Sequence, residues 1–208
     1  MSLDLWLTFV AATTALLLIP GPTVLLVLSY ALSQGKRVAV ASATGVALGD
    51  FMAMTASLAG LGALVLTSAT LFTVLKWIGA AYLVWLGVKL LRAPASEGLE
   101  AQTQPDSTAR HVFWHTATVT ALNPKSIAFF VAFVPQFVQT EQPLLPQFAI
   151  LIATFVGLAA LNALAYALAA DRLRQTIRKP AVITWLTRSG GLALIAMGVL
   201  TAAMRRST

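Results

Sequence analysis

Asp50 is the only charged residue between Arg37 and Lys76. A carboxylate in such apolar company must carry a proton, meet a cation or find a partner, because leaving it ionised at a bilayer centre costs on the order of 2.5–3.5 kcal/mol. Two other stretches also set helix-breaking residues inside long apolar runs. "PGPT", Pro20, Gly21, Pro22 and Thr23, interrupts a segment without charge from Leu5 to Gly35, and "NPKS", Asn123, Pro124, Lys125 and Ser126, interrupts another. Asn162 lies in a third run, with no charge between Glu141 and Asp171. Proline lacks a backbone N–H and disfavours helix in the residue before it, yet fits the first turn of a new helix. Each motif therefore predicts the end of one helix and the start of another. The second helix presents free N–H groups, from Thr23 onward in the first case, and the positive end of its dipole. Such a start can hold an anion. At the second break Asn123 is a favoured N-cap.

The elements that must position these groups follow from composition. Hydrophobic residues make up 58% of the chain and charged residues 10%, with a mean hydropathy of +0.82. A soluble globule needs more polar surface, so the fold class is an all-α membrane protein. Apolar segments run near Leu5–Leu32, Val38–Leu66, Leu71–Leu91, Val112–Val138, Leu144–Ala170 and Ile183–Met204. Each approaches or exceeds the roughly 20 residues that cross a hydrocarbon core as helix, which predicts six spans. The first, beginning with Asp4 and longer than a signal-peptide core, is expected to be retained. There is no cysteine, which excludes a disulfide scaffold and thiolate metal sites. The net charge of +7 is spread over short loops and forms no aromatic-interleaved patch, so nucleic acid is not an expected partner.

Loop charges give an orientation. Ten of the Lys and Arg residues fall in the first, third and fifth loops: Lys36, Arg37, Lys89, Arg92, Arg110, Arg172, Arg174, Arg178, Lys179 and Arg188. Arg205 and Arg206 lie on the other side. Cytoplasmic loops accumulate such charge, which predicts both termini in the periplasm. Residues 93–111, rich in Pro, Ser, Thr and Gln, read as a cytoplasmic linker between two halves, 1–92 and 112–208.

The halves share features in the same order. "PGPT" in the first span answers "NPKS" in the fourth; Gly45, five residues before Asp50, answers Gly157, five before Asn162. "GAAYLVWLGV" from Gly79 answers "GGLALIAMGV" from Gly190. Three spans per half force the second copy upside down, an inverted-repeat architecture in which broken helices carry the substrate site near the midplane. Pro22 is residue 18 of 28 from the outer end of its span, and Asn123 residue 12 of 27 from the inner end of its own. Asp50 and Asn162 fall at a similar depth. Pro20, Gly21, Pro22, Thr23, Asp50, Asn123, Pro124, Lys125 and Asn162 are therefore the expected substrate-binding residues. Lys125 either pairs with Asp50 or extends to the cytoplasmic face. His111 and His115, four residues apart at the start of the fourth span, read as interfacial. Gly45 with Gly49, and Gly79 with Gly87, read as helix-packing pairs.

These motifs resemble one family along nearly the whole chain, the lysine-exporter (LysE/RhtB) family of bacterial amino-acid efflux proteins. "PGPT", "GVALGD" at Gly45–Asp50, "GAAYLVWLG" at Gly79–Gly87, and "NPKS" followed by "FF" and "PQF" up to Phe137 carry the likeness. The family pattern frequently has Asn where this chain has Thr23. The resemblance implies outward export, an amino acid or close derivative as cargo, and the bacterial inner membrane as location. No phosphate-binding "GxxxxGK[ST]" motif is present, so an ion gradient or the cargo's own gradient must supply energy. Asp50 is the expected proton-coupling group, and no cofactor or metal is called for. An intramembrane enzyme would need a nucleophile with a base or a ligand cluster at one depth, and a channel would need charged rings or a repeated filter.

Overall fold

The computed structural model describes residues 1–19, 21–34, 36–67, 69–92, 107–139, 142–177 and 180–203. Every regular element among them is helical. Helix α1 (Leu3–Leu18) opens on Ser2, whose hydroxyl accepts from Leu5 N, and α2 (Pro22–Gln34) follows at an angle of 58°. Helices α3 (Lys36–Thr67) and α4 (Ala69–Arg92) complete the first half. In the second half come α5 (Ala109–Ala121), α6 (Pro124–Ala128), α7 (Leu144–Ile177) and α8 (Pro180–Ala203). Between α6 and α7 the backbone widens into a π turn over Phe129–Phe133 and tightens into a 3-10 turn over Val134–Phe137. Pro135 explains the irregularity: it has no N–H, and its ring would clash with the carbonyl of Val131 in a regular helix.

Both expected breaks are present. The second bends the chain by 41° between α5 and the segment from Pro124 to Phe137. Of the linker, residues 93–106 lie outside the described residues, as does Pro20. Helix α5 starts earlier than expected, at Ala109, because the Thr108 hydroxyl accepts from His111 N and caps it. Among the described residues three helices are long and apolar enough to cross a membrane alone, within Arg37–Ala63, Thr73–Arg92 and Leu144–Ala170. Counting each bent pair as one span brings the number to five. The sixth expected span corresponds to α8, whose apolar part, Thr187–Ala203, is shorter, with Arg188 at its start. Large apolar side chains face outward along the helices, among them Ile78, Leu161, Trp185 and Leu192, as a multi-pass membrane protein requires.

Glycine sets two close helix contacts. A Cβ on Gly49 of α3 would lie 2.5 Å from Ala117 O and 2.7 Å from Thr120 Cβ of α5; one on Gly45 would meet Phe113 O. On the other side of the molecule, a Cβ on Gly87 of α4 would lie 2.5 Å from Gly191 O of α8, and one on Gly198 would lie 2.8 Å from Ala80 O. Gly79 packs against Ala132 of the π turn. Small residues here let backbones touch, and van der Waals packing holds helices together where lipid removes the hydrophobic drive. Gly157 behaves differently from its sequence counterpart Gly45: nothing lies within 4 Å of where its Cβ would be. Alongside, Phe9, Phe129, Phe130, Phe133, Phe137 and Phe155 form one buried aromatic cluster, with ring centroids such as Phe130–Phe155 at 4.7 Å and Phe9–Phe137 at 5.2 Å.

Candidate binding cavity at the helix breaks

At the first break the last carbonyls of α1 lose their regular helical partners, Leu16 O keeping a bond from Ile19 N at 3.3 Å, and in hydrocarbon such groups must be satisfied inside the protein. Donors arrive from the second half of the chain. Lys125 Nζ donates to Leu16 O at 3.3 Å and Ile19 O at 3.0 Å, Asn162 Nδ2 to Leu17 O at 3.1 Å, and Tyr166 Oη to Leu18 O at 3.5 Å. An ammonium at the negative end of a helix dipole is also electrostatically favoured. Lys125 caps α1 with its amine instead of extending to the aqueous face, and its charge still acts on Asp50, with no salt bridge between them among the described residues. Its stem leaves α6 beside Gly21, where a Cβ would stand 3.3 Å from Nζ.

At the second break Asn123 has the extended backbone that a following proline imposes, with φ −68° and ψ 111°. Its Oδ1 accepts from Lys125 N at 3.0 Å and caps α6, while its Nδ2 donates to Thr23 Oγ1 at 3.2 Å. Thr120 Oγ1 donates to the same Thr23 oxygen at 3.5 Å. The starts of α2 and α6 are therefore tied to each other across the two halves.

Both breaks open on one cavity of about 30 Å³. Gly21, Thr23, Asp50, Asn123, Lys125 and Asn162 line it, so six of the nine expected residues converge. Pro22 and Pro124 open α2 and α6 without lining the cavity. Asp50 is 3% exposed, and its Oδ1 has no hydrogen-bond partner. Short aliphatic side chains, Val24, Val27, Val46, Ala159 and Ala163, supply most of the remaining wall. Such a space holds about two water molecules, too little for an amino acid without movement of its walls.

Several contributors escape a reading of the sequence. Tyr166 follows Asn162 by four residues on one helix face, a spacing that could have flagged it. Ser126 lines the cavity next to Lys125. The carbonyls of Leu16 and Ile19 carry no side-chain signal at all. His115 is tied into the fold away from the breaks, its Nδ1 lying 2.7 Å from the hydroxyl of buried Tyr30.

The chain matches the LysE type translocator family over residues 14–205. It is 33% identical over 207 residues to the homoserine/homoserine lactone efflux protein of Salmonella typhimurium, each chain covered in full. It is 34% identical over 203 residues to a membrane protein of Vibrio cholerae, covering 97% of this chain and 98% of that one. Identity to the leucine efflux protein of Klebsiella pneumoniae is 32% over 136 residues, 65% of this chain and 64% of the other. No solved structure matches. With a family match of that extent over a helical fold broken at both expected motifs, this chain belongs to the LysE type translocator family and is a transporter, not an enzyme.

Proposed function

We propose that this protein exports a small, neutral amino acid or a close derivative across the bacterial inner membrane in exchange for protons. The observation that carries this reading is one cavity walled both by a buried carboxylate, Asp50, whose Oδ1 has no hydrogen-bond partner, and by the start of α2. A zwitterion needs those two poles. Its carboxylate faces the N–H groups from Thr23 onward, with Asn123 orienting Thr23 and Lys125 nearby; its ammonium faces Asp50. The aliphatic wall favours a short uncharged side chain, in keeping with homoserine and leucine, which two of the relatives are named for exporting. When the site faces outward, a proton taken up by Asp50 replaces the ion pair and releases the cargo. That proton leaves when the site returns to the cytoplasm.

Many carriers build alternating access from two related halves, and the helix packing supports six spans in an inverted repeat. Exchanging the halves maps α3 onto α7 and α4 onto α8, and the members of each pair pack against each other. It also maps the α1–α7 contact onto α5–α3, which both occur. Cysteines introduced at Ser96 and Gln142 are expected to label from opposite sides of the membrane, Ser96→Cys from the cytoplasm. Labelling from one side would rule out the inverted arrangement.

Flux in proteoliposomes tests the transport reading itself. A carrier accelerates labelled efflux when unlabelled amino acid is present outside, whereas a channel shows no such countertransport. Asn123→Leu removes both the α6 cap and the donor to Thr23. A cap is worth about 1 kcal/mol, so a modest fall in thermal stability with a much larger fall in transport is expected. Undiminished transport would move the carboxylate site elsewhere.

A further inference from the structure

Resting on that reading and deepening it, we infer that Lys125 is a tethered stand-in for the ammonium of the cargo. In this structure its Nζ occupies the carbonyl seat at the end of α1 that the cargo's own amino group takes on loading. The seat is chemically suited to any primary ammonium: two carbonyl oxygens, Leu16 O and Ile19 O, at 3.3 and 3.0 Å from a donor with three N–H bonds. Leu16 and Lys125 of this seat line the cavity, whose other walls carry Asp50 and the first turn of α2. An amino acid bound across the first break would thus set its ammonium against the end of α1 and Asp50, and its carboxylate against the start of α2. Only Ile19 to Gly21 separate the two helix ends.

Lys125 cannot keep its place in that loaded state, because two ammonium groups would share one seat. Its four-carbon stem lets Nζ retract while α6 stays fixed. The displaced amine remains close to Gly21 and the start of α2, where the cargo's carboxylate becomes its new partner. Release reverses the exchange: Nζ returns to Ile19 O and to Leu16 O, which also accepts from Ile19 N, and satisfies both in the membrane interior. Lys125 therefore serves the empty carrier most. Its loss should impair the return of the empty site, which net export requires and amino-acid exchange does not.

Lys125→Ala, in the full chain reconstituted in proteoliposomes, tests this. Net efflux of labelled amino acid into amino-acid-free buffer should fall by roughly tenfold or more, the order expected when a barrier-crossing state leaves a polar group unsatisfied. Exchange against external amino acid should fall distinctly less. Millimolar methylammonium, an untethered copy of the missing group, should restore net efflux in Lys125→Ala and leave the wild-type protein unchanged. Parallel loss of exchange and net efflux without rescue overturns the inference and makes Lys125 a ligand of the carboxylate only. Lys125→Met, which keeps the stem volume, carries the same flux expectation; if neither variant folds, Lys125 is a structural cap and the inference is overturned. Wild-type exchange rates in both Asp50→Asn and Asn123→Leu would instead sink the underlying site assignment.

Discussion

Asp50→Asn is expected to fold, to bind amino acid weakly and to lose every response to a pH difference across the membrane. The side chain keeps its size but can neither ionise nor carry the exchanged proton. In the wild-type protein, acid outside and alkali inside should accelerate export: the outward-facing carboxylate is then protonated and releases cargo, and the inward-facing one is deprotonated and accepts it. Reversing the gradient should slow export. In Asp50→Asn both gradients should give one and the same residual rate, with no accumulation against a concentration difference. Stability should not fall, since Asp50 Oδ1 makes no hydrogen bond to lose and the amide costs less to bury than an ionised carboxylate. Flux under opposite pH gradients checks the first statement and thermal unfolding in detergent the second. PH-driven export that survives the substitution would remove Asp50 from the coupling step.

The second large effect is expected at Gly49. Leucine there must place its Cβ where Ala117 O lies 2.5 Å away, Thr120 Cβ 2.7 Å and Ala121 N 3.0 Å. Two of these are backbone atoms and the third is the root of a side chain, so no rotamer change relieves the clash and α3 must separate from α5. Overpacking typically costs about 1–3 kcal/mol, and a clash against backbone belongs at or above the upper end. The shift also acts on the site, because Asp50 is the next residue and Thr120 donates to Thr23. Gly49→Leu should therefore lower the unfolding temperature sharply and abolish transport in whatever protein remains folded. Gly157→Leu is the matched control: with nothing within 4 Å, it should be neutral or stabilising by up to about 1 kcal/mol through helix propensity. Comparable stability of the two variants would contradict the packing at α3–α5.

The contrast between those glycines marks what a linear reading can and cannot reach. Both breaks were legible because proline acts locally: it removes a donor and restricts its predecessor wherever it stands. Asp50 was legible because a lone carboxylate in an apolar run has few cheap explanations, and depth counting brought it level with Pro22, Asn123 and Asn162. Which glycines meet a neighbouring backbone depends on how helices far apart in sequence come together, and spacing made Gly45 and Gly157 look equivalent when only Gly45 is in contact. Lys125 was opaque for the same reason. Its partners are backbone carbonyls 106 and 109 residues away, which have no residue type to recognise. The early start of α5 at Ala109, capped by Thr108, and the π turn ahead of Pro135 rest on local chemistry that a closer reading of caps and prolines could have found.

The central claim is that the cavity at the two breaks is the amino-acid site, and the absence of cysteine from the chain allows a direct measurement. Val46 lines the cavity and is buried, whereas Gln142 is exposed outside it. Single-cysteine proteins Val46→Cys and Gln142→Cys would be exposed to a small membrane-permeant thiol reagent, with and without each amino acid of a neutral panel. The account predicts that an exported amino acid slows modification at position 46 in a saturable way and leaves position 142 unaffected. Modification at position 46 that proceeds at one rate whether or not an exported amino acid is present would contradict it.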